Sequence, residues 1–246
     1  MPSSNEDRDR RSRAAWLRSL AKAVIPKRIA EEVLQYRKYK PHERALYIKL
    51  RIVNGLGLKN RTKAPATARS FLFVCFGNIM RSPMCEALMK RALRSVHVDV
   101  RVQSAGLNAT PGTPAHPWSV AAARELGLDL SPHRARPLSP EMLDQADAIF
   151  AMDYRNQVEL LCRYPALKDK VFMLSAYAGE GYRPTEIRDP FFGNQAETRQ
   201  CYAILQRCVD NLVAAVAADA KTDLEATPEG VKLSIESGGS RQVGDS

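Results

Sequence analysis

Apolar residues recur along this chain with two different periods, and the change of period divides it. Residues 1–13 are polar and charged with no apolar period, and they read as disordered. From Arg13 to Val24 the apolar positions Trp16, Leu17, Leu20, Ala21 and Val24 fall at helical spacing, with Arg18 and Lys22 between them. Pro26 interrupts, residues 28–37 suit a second helix, and Pro41 interrupts again. Leu46, Leu50 and Val53 mark a third helical stretch, which Gly55-Leu56-Gly57 ends. Residues 58–67, LKNRTKAPAT, read as a basic linker.

Beyond the linker, strand and helix patterns alternate. Phe71–Phe76 is a continuous apolar run of the kind a parallel strand buried on both faces requires. Pro83–Val96 reads as a helix, and Val98–Val102 as a short strand leading to Ser104-Ala105-Gly106. Residues 107–116 form a Pro- and Gly-containing loop, and Trp118–Leu126 is a helix stopped by Gly127. Ser139–Ala146 is a short helix with Ser139 as its cap. Ala148–Met152 and Val171–Leu174 are strands on either side of a helix at Asn156–Cys162. Residues 176–194 are a long loop, Glu197–Ala218 is a closing helix, and residues 221–246 read as a disordered tail. The expectation is an α/β fold: a four-stranded parallel sheet sandwiched between helices, preceded by a helical extension over residues 1–66. Residues 67–220 form the main domain. Right-handed crossovers then place a ligand site at the carboxyl ends of the strands, where Cys75 lies.

Charge sharpens the division. The net charge is +10 over 246 residues, with 37 Lys and Arg against 27 Asp and Glu. The whole excess falls within residues 1–66, so a basic arm is appended to a near-neutral domain. Such an arm suits an anionic membrane surface or an acidic protein partner, while a helix packed on the domain with a solvated basic face accounts for the same pattern. Nucleic acid is not expected, since no recognised module is present. No long apolar span and no secretory leader are legible, so a cytoplasmic setting is expected, peripheral at the inner membrane face if the arm binds lipid. The five cysteines, at 75, 85, 162, 201 and 208, are odd in number and form no Cys-x2-Cys pair. Neither a disulfide framework nor a zinc site is expected.

The stretch FVCFGNIMRSPM, residues 73–84, concentrates the chemistry. A five-residue loop between strand and helix can turn its backbone N–H groups inward, joining those at the helix start to make an anion nest. Phe76, Gly77, Asn78, Ile79 and Met80 form that loop, with Arg81 between it and a helix that begins near Ser82. Gly77 supplies conformational freedom, and Asn78 tolerates a left-handed backbone. Arg81 offers a planar fork that matches two phosphate oxygens. A thiol at the base of this nest faces dipoles, a guanidinium and the Ser82 hydroxyl, all of which favour a thiolate placed for in-line attack. Pro83 sits comfortably in the first helical turn. A core cysteine ending a buried strand is the plainer alternative for Cys75.

The same stretch resembles the phosphate-binding loop of the low-molecular-weight protein tyrosine phosphatases. The resemblance runs from residue 70 to about 215. It continues through Gln103-Ser104-Ala105-Gly106, His133-Arg134-Ala135-Arg136, Ala151-Met152-Asp153 and Arg188-Asp189-Pro190-Phe191-Phe192-Gly193. It implies a three-layer α/β/α sandwich and hydrolysis of phosphotyrosine through a cysteinyl-phosphate, with no cofactor and no metal. Cys75 is then the nucleophile, Arg81 the phosphate clamp and Asp189 the general acid. Pro190 biases Asp189 toward an extended backbone. Ser104 and His133, with Asn78 and Ser82, brace the loop. Phe76, Phe191 and Phe192 wall the pocket and suit a phenyl phosphate. Bacterial members suggest a tyrosine kinase or polysaccharide-export protein as the phosphotyrosine substrate.

The sequence also departs from the family. Many members carry a second cysteine just before the arginine, where this chain has Met80, so no adjacent thiol guards Cys75 against over-oxidation. Phe191 and Phe192 replace the tyrosines of animal members, and LNATPG at residues 107–112 lacks an aromatic common there. Two other functions are compatible with such a loop: an arsenate reductase of the same fold, or an adaptor that binds phosphate without turnover. A reductase needs a relay of thiols on a mobile segment, and Cys201 and Cys208 fall instead on the final helix.

Overall fold

The structure, a computed structural model, describes residues 36, 39–55, 63–65, 67–96, 100–179 and 186–226. The helical stretch expected at residues 13–24, nearly all of that at 28–37, and the expected disorder of residues 1–13 lie outside them.

The strand β1 (Ser70–Cys75) is apolar at every position after Ser70, and each of those positions is buried. It occupies the middle of a parallel sheet of order β2-β1-β3-β4, with β2 (Arg101–Gly106), β3 (Ala148–Ala151) and β4 (Val171–Met173). Alternate side chains leave opposite faces of a strand. Phe71, Phe73 and Cys75 therefore enter one core with Phe150 and Phe172, and Leu72 and Val74 enter a second with Ile149, Ala151, Val171 and Met173. The first core is closed by α2 (Arg81–Val96), α3 (Pro117–Glu125) and α6 (Gln195–Ala226). The second is closed by α4 (Pro140–Gln145) and α5 (Tyr154–Arg163). The result is the expected three-layer α/β/α sandwich. Among the described residues α6 alone is long and apolar enough to cross a membrane, but Tyr202, Leu205, Val209, Leu212 and Val216 on it are spent on the first core.

Several boundaries shift from expectation, and at β2 and α5 the structure shows why. The strand β2 starts later than Val98 and runs on through Ser104, Ala105 and Gly106, pairing Gly106 with Cys75. Small residues have weak strand propensity, which hid its end. Packing demands them here: a Cβ on Gly106 would lie 2.9 Å from both the Asn78 nitrogen and the Gly77 carbonyl carbon. The helix α5 begins at Tyr154, because Asp153 caps it by accepting a 2.7 Å hydrogen bond from the Asn156 N–H. The helix α6 extends through Ala226, past residue 220.

The helix α1 (Pro41–Gly55) starts at the proline expected to interrupt, since proline fits the first turn. It packs on α5, where the Tyr47 ring meets Tyr154 edge-on at 6.2 Å and the buried Tyr39 ring lies 4.8 Å from Tyr47. The end of the expected linker also docks: Ala64 is buried and donates its N–H to the Tyr177 hydroxyl at 3.0 Å.

Candidate active site

The chain leaves β1 at Cys75, turns through residues 76–80 and enters α2 at Arg81. Asn78 takes φ = 52°, the left-handed conformation that its short polar side chain tolerates. Its N–H points back at Cys75 Sγ, 3.2 Å away, and Ser82 Oγ lies 3.0 Å from the same sulfur. Asn78 and Ser82 are both fully buried.

The Asn78 side chain ties the loop to the rest of the fold. Its Oδ1 accepts from the Arg136 N–H at 2.9 Å, which orients the amide. Its Nδ2 then donates to Ser82 Oγ and to Ser104 Oγ, each at 2.9 Å. Ser104 donates its own proton to Glu86 Oε2 at 2.5 Å, and Arg136 Nη2 holds the same carboxylate oxygen at 2.9 Å. Every donor in this chain has an acceptor, and the chain leaves the Ser82 proton free for the Cys75 sulfur or, at 3.3 Å, for the Ala105 carbonyl. The Asn78 carbonyl can only accept, so His133 Nε2 is the donor of their 2.7 Å bond. Burial pulls His133 below its ordinary pKa, against the pull of that bond. Tyr202 on α6 donates to the Met80 carbonyl at 3.0 Å and pins the far end of the loop.

Arg81 is 1% exposed, and its fork is held by three acceptors. Nη1 donates to Asp153 Oδ2 at 2.6 Å and to the Ile187 carbonyl at 2.9 Å, and Nη2 donates to Asp189 Oδ2 at 2.7 Å. Burial works against the charged guanidinium, but the carboxylates of Asp153 and Asp189 outweigh it and push its pKa above the usual value. Asp189 caps the turn Pro190–Phe192, accepting from the Phe191 N–H at 3.3 Å, and it remains part-exposed.

Aromatic groups stand at the same end of the sheet. The Arg155 guanidinium lies 4.3 Å over the Phe76 ring, and Phe191 meets His116 edge-on at 5.8 Å. Phe192 is 90% exposed and overhangs Phe191 from solvent, so it is less enclosed than a pocket wall. Of the other thiols, Cys201 comes close, its Sγ 3.7 Å from the carbonyl of Arg188, the residue before Asp189. Burial pushes Cys85 up well above its ordinary pKa and Cys201 and Cys208 up to about 12, while Cys162 is half-buried on α5.

The structure brings Cys75, Phe76 to Ser82, Ser104, His133 and Asp189 together at the carboxyl ends of β1 and β2. It adds Asp153, Glu86, Arg136, Gly106 and Tyr202, which sequence reasoning did not assign. Asp153 was within reach: it follows β3, the strand beside β1, and a helix starts immediately after it. Tyr202 left no signal, since an aromatic on a core helix reads as packing.

Comparison with known proteins decides the family. The family model for "Low molecular weight phosphotyrosine protein phosphatase" matches residues 70–222. This chain belongs to that family. It is 36% identical over 150 residues to the probable low molecular weight protein-tyrosine-phosphatase EpsP of Ralstonia nicotianae, covering 61% of this chain and 97% of that protein. It is also 36% identical over 123 residues to the protein-arginine-phosphatase of Bacillus subtilis, covering 50% of this chain and 80% of the relative. Among solved structures, the protein tyrosine phosphatase from Entamoeba histolytica superposes with a TM-score of 0.57 at 30% identity, covering 61% of this chain and 98% of its own. The family match begins at Ser70, so α1 is an addition to the family domain.

Proposed function

We propose that the chain hydrolyses phosphotyrosine monoesters in proteins through a cysteinyl-phosphate. The observation that carries this reading is the convergence on one sulfur: the Asn78 N–H and the Ser82 hydroxyl stand within 3.2 Å of Cys75 Sγ, and Arg81 next to Ser82 reaches Asp189. Cys75 thiolate attacks phosphorus, forming the S–P bond as the P–O bond to the phenol breaks. Asp189, once the phosphate has replaced it on Arg81 and its carboxyl has taken up a proton from solvent, gives that proton to the departing phenolate oxygen, without which that step is slow. Water then attacks phosphorus, forming an O–P bond as the S–P bond breaks; Asp189 takes the water's proton, and inorganic phosphate and the thiolate are released. Arg81 and the loop amides carry the charge of the equatorial oxygens throughout. Ser82 donates to the thiolate each time it forms, and Asn78, Ser104 and His133 keep the loop in place.

Phe76 and Phe191 give the mouth apolar, flat surfaces that favour an aryl ester. A named arginine phosphatase among the relatives makes phosphoarginine the comparison substrate. The relay needed by an arsenate reductase is not favoured, since Cys201 and Cys208 are buried in the α6 core face. At a finer level, we propose a phosphorylated bacterial tyrosine kinase as the protein substrate, and a cytoplasmic enzyme held at anionic membrane by the basic residues preceding α1. Full-length protein co-sedimenting with phosphatidylserine vesicles at low salt supports that placement, and failure to do so rejects it.

The test of activity is hydrolysis of p-nitrophenyl phosphate, a phosphotyrosine peptide and a phosphoarginine peptide by wild type, Cys75→Ser and Asp189→Ala. Loss on every substrate in Cys75→Ser is expected, and in Asp189→Ala a deep fall in kcat on the phosphotyrosine peptide with a smaller one on p-nitrophenyl phosphate. Full activity in Cys75→Ser, or a higher kcat/KM for phosphoarginine, overturns the reading.

A further inference from the structure

We propose that α1 of the extension is a positioning element for Arg81 and Asp189, acting through Arg51 on Glu186; this rests on the catalytic reading of those two residues. Two of the three acceptors that orient Arg81 are the Asp153 carboxylate and the Ile187 carbonyl. Their chain neighbours, Tyr154 and Glu186, form the contact with α1. The segment from Glu186 to Asp189 is laid against the end of β3 by two hydrogen bonds. The Ile187 N–H donates to the Met152 carbonyl at 2.7 Å, and the Tyr154 N–H donates to Glu186 Oε2 at 3.1 Å. This short ladder places the Ile187 carbonyl and, two residues on, the Asp189 carboxylate against the guanidinium.

Arg51 lies over both sides of the ladder. Its Nη1 is 4.0 Å from Glu186 Oε1, and its guanidinium is 5.2 Å from the Tyr154 ring centroid and 5.9 Å from that of Tyr47. Tyr47 and the buried Tyr39 pack behind it with their rings tilted by 31°, and Arg44 Nε donates to the Tyr39 carbonyl at 3.0 Å. Arg51 and Glu186 are each about two-thirds buried, at 30% and 33% side-chain exposure; burial, followed by the charge of Asp153, pushes Glu186 above the usual carboxylate range, and the same two causes push Tyr39 up. A cation there steadies the Glu186 carboxylate against Asp153, so α1 supplies charge as well as packing. The family match begins at Ser70, so this support is particular to a chain with an extension.

Arg81 acts by geometry, and a misplacement of about 1 Å at such a group costs on the order of 10²-fold in rate. The experiment uses the full chain as wild type, Arg51→Ala, Arg51→Lys, Tyr47→Leu and, as a control on the catalytic reading, Arg81→Ala. Each is assayed with p-nitrophenyl phosphate, whose leaving group needs little protonation, and with phenyl phosphate, whose leaving group needs Asp189. Inorganic phosphate inhibition and Tm are measured alongside. Arg51→Ala is expected to lower kcat about tenfold on phenyl phosphate and less on p-nitrophenyl phosphate. It also weakens phosphate binding, Arg51→Lys restores most of both, and Tyr47→Leu lowers Tm without altering the substrate ratio. An unchanged substrate ratio in Arg51→Ala, or a uniform loss that follows Tm and is not rescued by lysine, overturns the proposal. Wild type inactive on both esters, or Arg81→Ala as active as wild type, instead overturns the catalytic reading beneath it.

Discussion

Replacing Asn78 by alanine removes three side-chain hydrogen bonds and leaves a Cβ-bearing residue at φ = 52° with nothing local to favour it. At about 1 kcal/mol net for each bond, the bonds contribute roughly 3 kcal/mol. The left-handed backbone adds about 1 kcal/mol for a residue that cannot hydrogen-bond locally. The expected loss of about 4 kcal/mol corresponds to a fall in Tm of roughly 8–16 °C for a chain of this size. Asn78→Gly separates the two causes. It loses the same bonds but relieves the backbone, and the greater freedom of unfolded glycine returns only about 0.4–1 kcal/mol of that relief. Glycine is therefore expected to be more stable than alanine by up to about 0.6 kcal/mol, while both lose on the order of 10² in kcat/KM because the N–H facing Cys75 is no longer held. Urea unfolding and p-nitrophenyl phosphate kinetics measure both quantities. Asn78→Ala within about 1 kcal/mol of wild type, or Asn78→Gly less stable than Asn78→Ala, would refute this reasoning.

Gly106→Ala drives a methyl to 2.9 Å from the backbone of the loop, so a cost of about 1–3 kcal/mol and a kcat/KM loss on the order of 10²-fold are expected, read by Tm and steady-state kinetics. Burial holds His133 below 6.5, so the unfolded chain takes up that proton first and stability falls as pH drops from 6.5 toward the lower folded value. The Tm advantage of wild type over His133→Asn should accordingly narrow between pH 7.5 and 5.5; a widening gap would contradict the sign. Met80→Cys places a thiol beside the nucleophile, and after peroxide treatment it should regain most of its activity with dithiothreitol where wild type regains little. Equal recovery in the two would show that another route protects Cys75.

The parts of the fold legible in sequence were those whose own residues carry the signal. The strand at Phe71, the cap at Ser139 and the loop from Cys75 to Ser82 depend on local periodicity, local hydrogen bonding and local backbone freedom. Ser139 does accept from the Met142 N–H. What stayed hidden depends on residues far apart in the chain. The strand β2 ends in small residues because the loop passes over Gly106, a fact about Gly77 and Asn78 rather than about β2. Glu86 reads as a surface charge on α2 until Ser104 and Arg136 are folded onto it. The docking of α1 depends on aromatic and cationic positions, Tyr47 and Arg51, that an apolar period of Leu46, Leu50 and Val53 does not register.

The hydroxyl of Tyr202 that holds the Met80 carbonyl belongs to the last helix, 122 residues downstream of the loop it pins. Ile187, whose carbonyl orients Arg81, is separated from it by 106 residues. Contacts of such sequence separation cost loop-closure entropy before they return anything, so they form late in folding. On a ribosome the sheet strands β1 to β3 emerge first; Arg81 lacks the Ile187 carbonyl and Asp189 until residues 187–189 follow, and the loop lacks its pin until Tyr202 on α6 is made. Order of synthesis thus delays the appearance of a competent nucleophile until nearly the whole catalytic domain has been made. A nascent chain cut short of α6 would carry the entire Cys75 to Ser82 motif and still be without a working site.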